Sequence, residues 1–145
     1  MPDGLDMEQR VEFAGEEWFA ELRRLLDIYV AAEPRDLRFS LCEVFTDVPA
    51  HLDRTGDGQV AWHCRISDGK PNFAFGEIEA DAKTVVDYQW VLPLARMKLG
   101  PDNAAEYQAI SQAGAASGKM VSTGDYSKVP ASFSQMHNDL AGITA

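Results

Sequence analysis

The chain has 145 residues, with 13 basic against 23 acidic side chains and a net charge of −10. So acidic a chain lacks the Lys and Arg clusters that a phosphate backbone or an anionic lipid surface demands, which excludes nucleic acid as a partner and argues against tight membrane docking. Its hydrophobic fraction of 46% suits a globular domain, and no apolar run approaches the roughly 18 residues of a membrane span.

The opening stretch, Met1-Pro2-Asp3-Gly4-Leu5-Asp6, is acidic and has no apolar core of the secretory-signal kind. A cytoplasmic protein is therefore expected. Residues 1–12 are expected to be a flexible lead-in to one domain spanning 1–145. Asp3, Asp6, Glu8, Glu12, Glu16 and Glu17 crowd this end, where solvent or a nearby helix N-terminus accommodates negative charge.

From Gly15 onward, Trp18, Leu22, Leu25, Leu26 and Tyr29 recur at helical spacing. Glu33-Pro34 ends this helix, because the residue before a proline is pushed out of the α region. The period then falls to two. Residues 38–41 and 60–66 alternate as strands with one apolar face. Thr55-Gly56-Asp57-Gly58 is a turn cluster. Asp68-Gly69 joins the second strand to a third over 72–79, a strong hairpin signal. A fourth strand is expected over 84–90, carrying Val85, Val86, Tyr88 and Trp90. Pro93 suits the first turn of a short helix through Leu94 and Met97. Gly100-Pro101 breaks it, and Asp102 can cap a second helix with Ala105, Tyr107 and Ile110. That helix is expected to fade in residues 114–118. A short strand over 119–123 follows. A last helix carries Val129, Phe133, Met136, Leu140 and Ile143 at increments of four, three, four and three.

Helix, four strands, two helices, strand, helix is an α+β order. It predicts a five-stranded, mostly antiparallel sheet arranged as a meander, with helices packed on one face.

Three stretches also resemble the sterol carrier protein 2 family. Residues 13–22, Phe-Ala-Gly-Glu-Glu-Trp-Phe-Ala-Glu-Leu, are similar to the opening helix of its stand-alone bacterial members. Residues 81–88, Asp-Ala-Lys-Thr-Val-Val-Asp-Tyr, resemble its late strand. Residues 118–125, Gly-Lys-Met-Val-Ser-Thr-Gly-Asp, resemble the segment before its closing helix. The resemblance runs from about Phe13 to Ala141. One departure stands out: Gly114-Ala115-Ala116-Ser117 occupies a place where members often carry Phe and Met. These small residues either widen a cavity or let helices pack closely.

The resemblance implies a two-layer sandwich with an apolar tunnel between sheet and helices. It implies a non-enzymatic role, binding or transferring a fatty acid, an acyl-CoA or a sterol-like molecule. Seven Phe, five Met, four Tyr and three Trp could line such a tunnel. Trp62, Phe73, Phe75, Tyr88 and Trp90 are expected as its floor. Leu94, Met97, Phe133 and Met136 are expected to face the sheet, with Met120 and Leu140 beside them. Each would serve an ordinary core equally well.

Catalytic and metal sites find little support. Cys42 and Cys64 are isolated and read as small buried strand residues with free thiols. His51, His63 and His137 are scattered singly, without a zinc motif. No GxSxG elbow, GxxxxGK[ST] loop or GxGxxG fingerprint occurs, so neither cofactor nor metal is expected. The alternative is a small enzyme with a hydrophobic pocket for a steroid- or polyketide-like substrate. It requires His63, Asp87 and Tyr88 to converge in that pocket. An accessory module or a homodimer is the third reading.

Overall fold

A computed structural model describes residues 10–145. Residues 1–9 of the expected flexible stretch, with Asp3, Asp6 and Glu8, lie outside the described residues.

Helix α1 (Glu16–Ala31) buries Trp18, Phe19, Leu22, Leu25, Leu26 and Val30 on one face. It stops just short of Glu33-Pro34, as that dipeptide requires. The sheet follows, with β1 (Phe39–Thr46), β2 (Gln59–Ser67), β3 (Lys70–Phe75), β4 (Ala82–Asp87) and β5 (Met120–Gly124). β1 is longer than the alternation at 38–41 indicates, and β3 stops at Phe75 instead of running on to Glu79. The β2–β3 hairpin turns at Asp68 and Gly69, with φ of 53° and 75°. Two consecutive positive φ values make the right-twisting turn that such hairpins favour.

The sheet is mixed, in the order β3-β2-β1-β4-β5. Three of its pairings are antiparallel, and β1 pairs with β4 in parallel. The expected meander is thus corrected: β4 does not follow beside β3 but returns to the far side of β1. Residues 76–81 make that crossing over the outer face. There His63 Nδ1 hydrogen-bonds the Gly76 carbonyl at 2.8 Å, and Lys83 pairs with Glu77 at 2.7 Å. This connection helps explain why Cys42 and Val44 are buried on the side away from the helices.

Helix α2 (Tyr88–Ala95) starts where β4 ends. Tyr88 and Trp90 are therefore helical, a correction to the strand expected through 90. The physical cause is Asp87, whose carboxylate accepts from the Gln89 amide at 2.9 Å and turns the chain. Pro93 then lies inside the helix, not in its first turn, and leaves the Gln89 carbonyl without its usual N–H partner.

Helix α3 (Ala104–Ala116) has Asn103, not Asp102, at its N-cap position, without a side-chain capping hydrogen bond, and runs through Gly114 to end before Gly118, whose φ is +76°. After β5, a short 3-10 turn over 126–128 leads to helix α4 (Phe133–Ile143). Val129 of the predicted stripe precedes this helix. Phe133, Met136 and Leu140 are buried, on the side that meets the sheet and α1.

The core lies between the inner sheet face and the helices, joining Phe39, Phe45, Trp62 and Val86 to Leu22, Leu26, Met136 and Leu140. Val11 forms a parallel bridge with Thr144, and the Trp18 indole donates to Thr144 Oγ1 at 3.2 Å. Among the described residues, no helix is long and apolar enough to cross a membrane.

Candidate functional site

Strand alternation sends every second residue of β1 toward the helices: Phe39, Leu41, Glu43 and Phe45. Three are apolar, and Glu43 is in phase with them. Inward-facing residues of the other strands continue the surface, including Trp62, Thr84, Val86, Met120 and Ser122. They floor a cavity of about 430 Å³. Trp18 and Leu22 of α1, Leu94 of α2, Tyr107 and Ser111 of α3, and Phe133, Met136, His137 and Leu140 of α4 roof it. That size lies within the roughly 300–1,000 Å³ of small-molecule pockets.

The strand register arranges one row across this floor. Glu43 faces Trp62 on one side and Thr84 on the other, and Thr84 faces Ser122. The Trp62 indole Nε1 donates to Glu43 Oε1 at 3.1 Å. Thr84 Oγ1 lies 3.1 Å from Ser122 Oγ and also meets the Tyr126 hydroxyl. Ser122 and Tyr126 are both exposed while lining the cavity, so the hydroxyl end of the row forms its mouth.

Glu43 is the one carboxylate among the cavity's lining residues. Desolvation pushes its carboxyl up to about 7, against the opposing pull of the Trp62 hydrogen bond. The surface it keeps accessible is cavity wall. Burial also raises the Tyr107 and Tyr126 hydroxyls, with the Glu43 charge adding to both. His137 binds the Met97 carbonyl through Nε2 at 2.8 Å, and the Tyr107 ring meets it edge-on at 6.0 Å.

The structure brings Trp62, Leu94, Met120, Phe133, Met136 and Leu140 together in the cavity wall. It places the other five expected lining residues elsewhere. Phe73 stacks on the far side of Trp62, with ring centroids 5.7 Å apart, under the Arg23 guanidinium. Phe75 is at the sheet edge, 38% exposed and covered by Arg54 at 3.9 Å. Tyr88 is buried against Phe13. Trp90 packs on Gly114, and Met97 lends its carbonyl to His137. Residues 114–117 do not line the cavity. A Cβ at Gly114 would come within 3.2 Å of the Met120 side chain, so the small residue there serves close packing.

Sequence reasoning missed Glu43, Thr84, Tyr107, Ser122, Tyr126 and His137. A signal for Glu43 exists. Continuing the alternation of Phe39 and Leu41 two residues further puts a carboxylate on the apolar face.

The acid–base trio that the enzyme alternative requires does not form. His63 pairs in register with Cys42 on the outer face, Asp87 caps a helix, and Tyr88 sits in the core. Cys42 and Cys64 are both free thiols. Cys42 shares the outer face with His63, whereas Cys64 pairs with Leu41 on the inner one, so the two point to opposite sides of the sheet. No group of His, Cys, Asp and Glu suited to a metal occurs among the described residues.

No protein-family model matches the sequence, and no curated protein is similar enough to count as a relative. Solved structures do match. A conserved hypothetical protein of Thermus thermophilus, for which a sterol carrier role has been suggested, aligns over 92% of each chain at 18% identity with a TM-score of 0.51. A crystal structure of sterol carrier protein 2 covers 91% of this chain and 96% of its own at 17% identity, with a TM-score of 0.50. The fold is sterol-carrier-protein-2-like, as the sequence resemblance implied.

Proposed function

We propose that this sterol-carrier-like domain is a non-enzymatic module that binds or transfers an apolar small molecule in the cavity between sheet and helices. The observation that carries the reading is the cavity itself. A chain of this size keeps about 430 Å³ open beneath large apolar side chains that could otherwise close on one another. The walls are mainly apolar, with polar groups limited to one row on the floor and to Tyr107, Ser111 and His137 in the roof, the usual division of labour in a small-molecule site. The names of the two structural neighbours point the same way. The enzyme alternative loses its support, because His63 lies across the sheet from the cavity.

The test is native mass spectrometry of the purified protein, followed by displacement of a neutral, environment-sensitive dye by long-chain amphiphiles. Retained lipid, or displacement at about tens of micromolar, is the expected result. No retained molecule and no displacement by any amphiphile would overturn the reading. Met136→Trp fills the cavity from α4. It should abolish dye binding while shifting stability by only about 1–3 kcal/mol, read from a thermal melt on the same sample.

A further inference from the structure

The polar row sharpens what kind of amphiphile the cavity would take. Glu43 Oε1 is engaged by the Trp62 indole, and no other hydrogen bond reaches this carboxylate among the described residues. No fully enclosed side-chain oxygen or nitrogen there lacks a partner. Oε2 is therefore open to the cavity. No Lys or Arg lines the cavity. The one basic ring, His137, must carry a proton on Nε2 to reach the Met97 carbonyl, since a carbonyl only accepts. A neutral ring then leaves Nδ1 as an acceptor. The remaining titratable lining groups are the Tyr107 and Tyr126 hydroxyls. At the mouth, Thr84 Oγ1 joins the Ser122 and Tyr126 hydroxyls in two hydrogen bonds, which leaves one neutral hydroxyl proton uncommitted.

Glu43 Oε2 and His137 Nδ1 offer a ligand acceptors, the hydroxyls of Tyr107 and the mouth offer only neutral donors, and no fixed positive charge lines the cavity. We infer that the cavity selects an amphiphile with an alcohol head over one with a carboxylate head, with the free oxygen of Glu43 receiving the hydroxyl proton. The inference rests on the carrier reading above. A carboxylate head entering this site meets a like charge in a poorly solvated space with no cation to offset it. An alcohol head supplies the hydrogen bond that the exposed oxygen lacks, and hydrogen bonds to charged groups are the stronger ones. Acyl-CoA, which carries several phosphates, finds no basic anchor along the lining.

The experiment uses the full chain and a neutral fluorescent dye, displaced at pH 8 by dodecanol, dodecanoate, methyl dodecanoate and dodecylammonium. Dodecanol should displace at about tenfold lower concentration than the donor-less ester or the carboxylate. In Glu43→Gln, whose amide can donate, dodecanoate should gain about tenfold while dodecanol does not. A melt of that variant establishes that it is folded. Dodecanoate matching dodecanol, or an alcohol-to-carboxylate ratio unchanged in Glu43→Gln, would each overturn the head-group inference while leaving the carrier reading intact. Dodecylammonium, whose charge the Glu43 carboxylate attracts, should lose affinity in Glu43→Gln, and no loss would overturn the head-group inference as well. Displacement by none of the four overturns the head-group inference, and with no molecule retained and no other amphiphile displacing the dye it overturns both.

Discussion

At the scale of single residues, Glu43 carries an energetic cost that a ligand is not needed to reveal. Its carboxyl rises from 4.5 to about 7 on folding. A group with a raised folded value binds its proton more tightly in the native state. Its full contribution to stability is therefore present below about pH 4.5 and is lost as pH rises through 7. Discounted for access through the cavity, the loss is about 2 kcal/mol. Thermal melts of the native chain and Glu43→Gln between pH 5 and 8 should diverge, with the variant gaining about 5 °C relative to the native chain at the alkaline end. Parallel curves across that range would refute the assignment. The same residue shows why part of the site is hard to read from sequence. Alternation identifies which way a strand residue points, but the clear alternation at 38–41 stops two residues before the informative one. Phe73 and Phe75 mislead for another reason. They alternate like floor residues, yet β3 is an edge strand, and the cavity lies beneath the centre and the opposite edge.

At the scale of elements, boundaries decide more than periodicity does. Val85-Val86-Asp87-Tyr88-Gln89-Trp90 reads equally well as strand throughout. A single side-chain cap at Asp87 converts its second half to helix. That conversion moves Tyr88 and Trp90 out of the sheet and brings Leu94 over the cavity. The close of β5 depends on a different device. Gly124 has φ +88°, and a Cβ placed there would lie 2.0 Å from the Asp81 carbonyl oxygen. That carbonyl accepts from the Asp125 amide at 2.7 Å, pinning the β4–β5 pairing at its end. Both conformation and space exclude a side chain. Gly124→Ala should cost about 3 kcal/mol or more in urea unfolding, against a few tenths for Gly58→Ala beyond its own positive-φ strain, since nothing lies near Gly58. Equal losses at the two sites would show that φ alone, and not contact with Asp81, governs β5.

At the scale of the whole molecule, the two-layer plan is legible because it follows from element order: each amphipathic helix must bury its stripe, and one sheet face receives it. The parallel contact between β1 and β4 is not. Short turns report local pairing, whereas this contact depends on where residues 76–81 carry the chain. The cavity is invisible for a related reason, since every apolar residue in its wall would read the same in a filled core.

The bridge between Val11 and Thr144 has a mechanical consequence. Because the two segments run parallel, tension applied at the amino and carboxyl ends slides them past one another. The Val11 amide to Ile143 carbonyl and the Ala145 amide to Val11 carbonyl bonds are then loaded together instead of being peeled in turn. The buried Trp18–Thr144 contact stiffens the same clasp. Single-molecule pulling from residues 10 and 145 should give one cooperative rupture, at lower force in Thr144→Val; an unchanged rupture force would place the resisting element elsewhere.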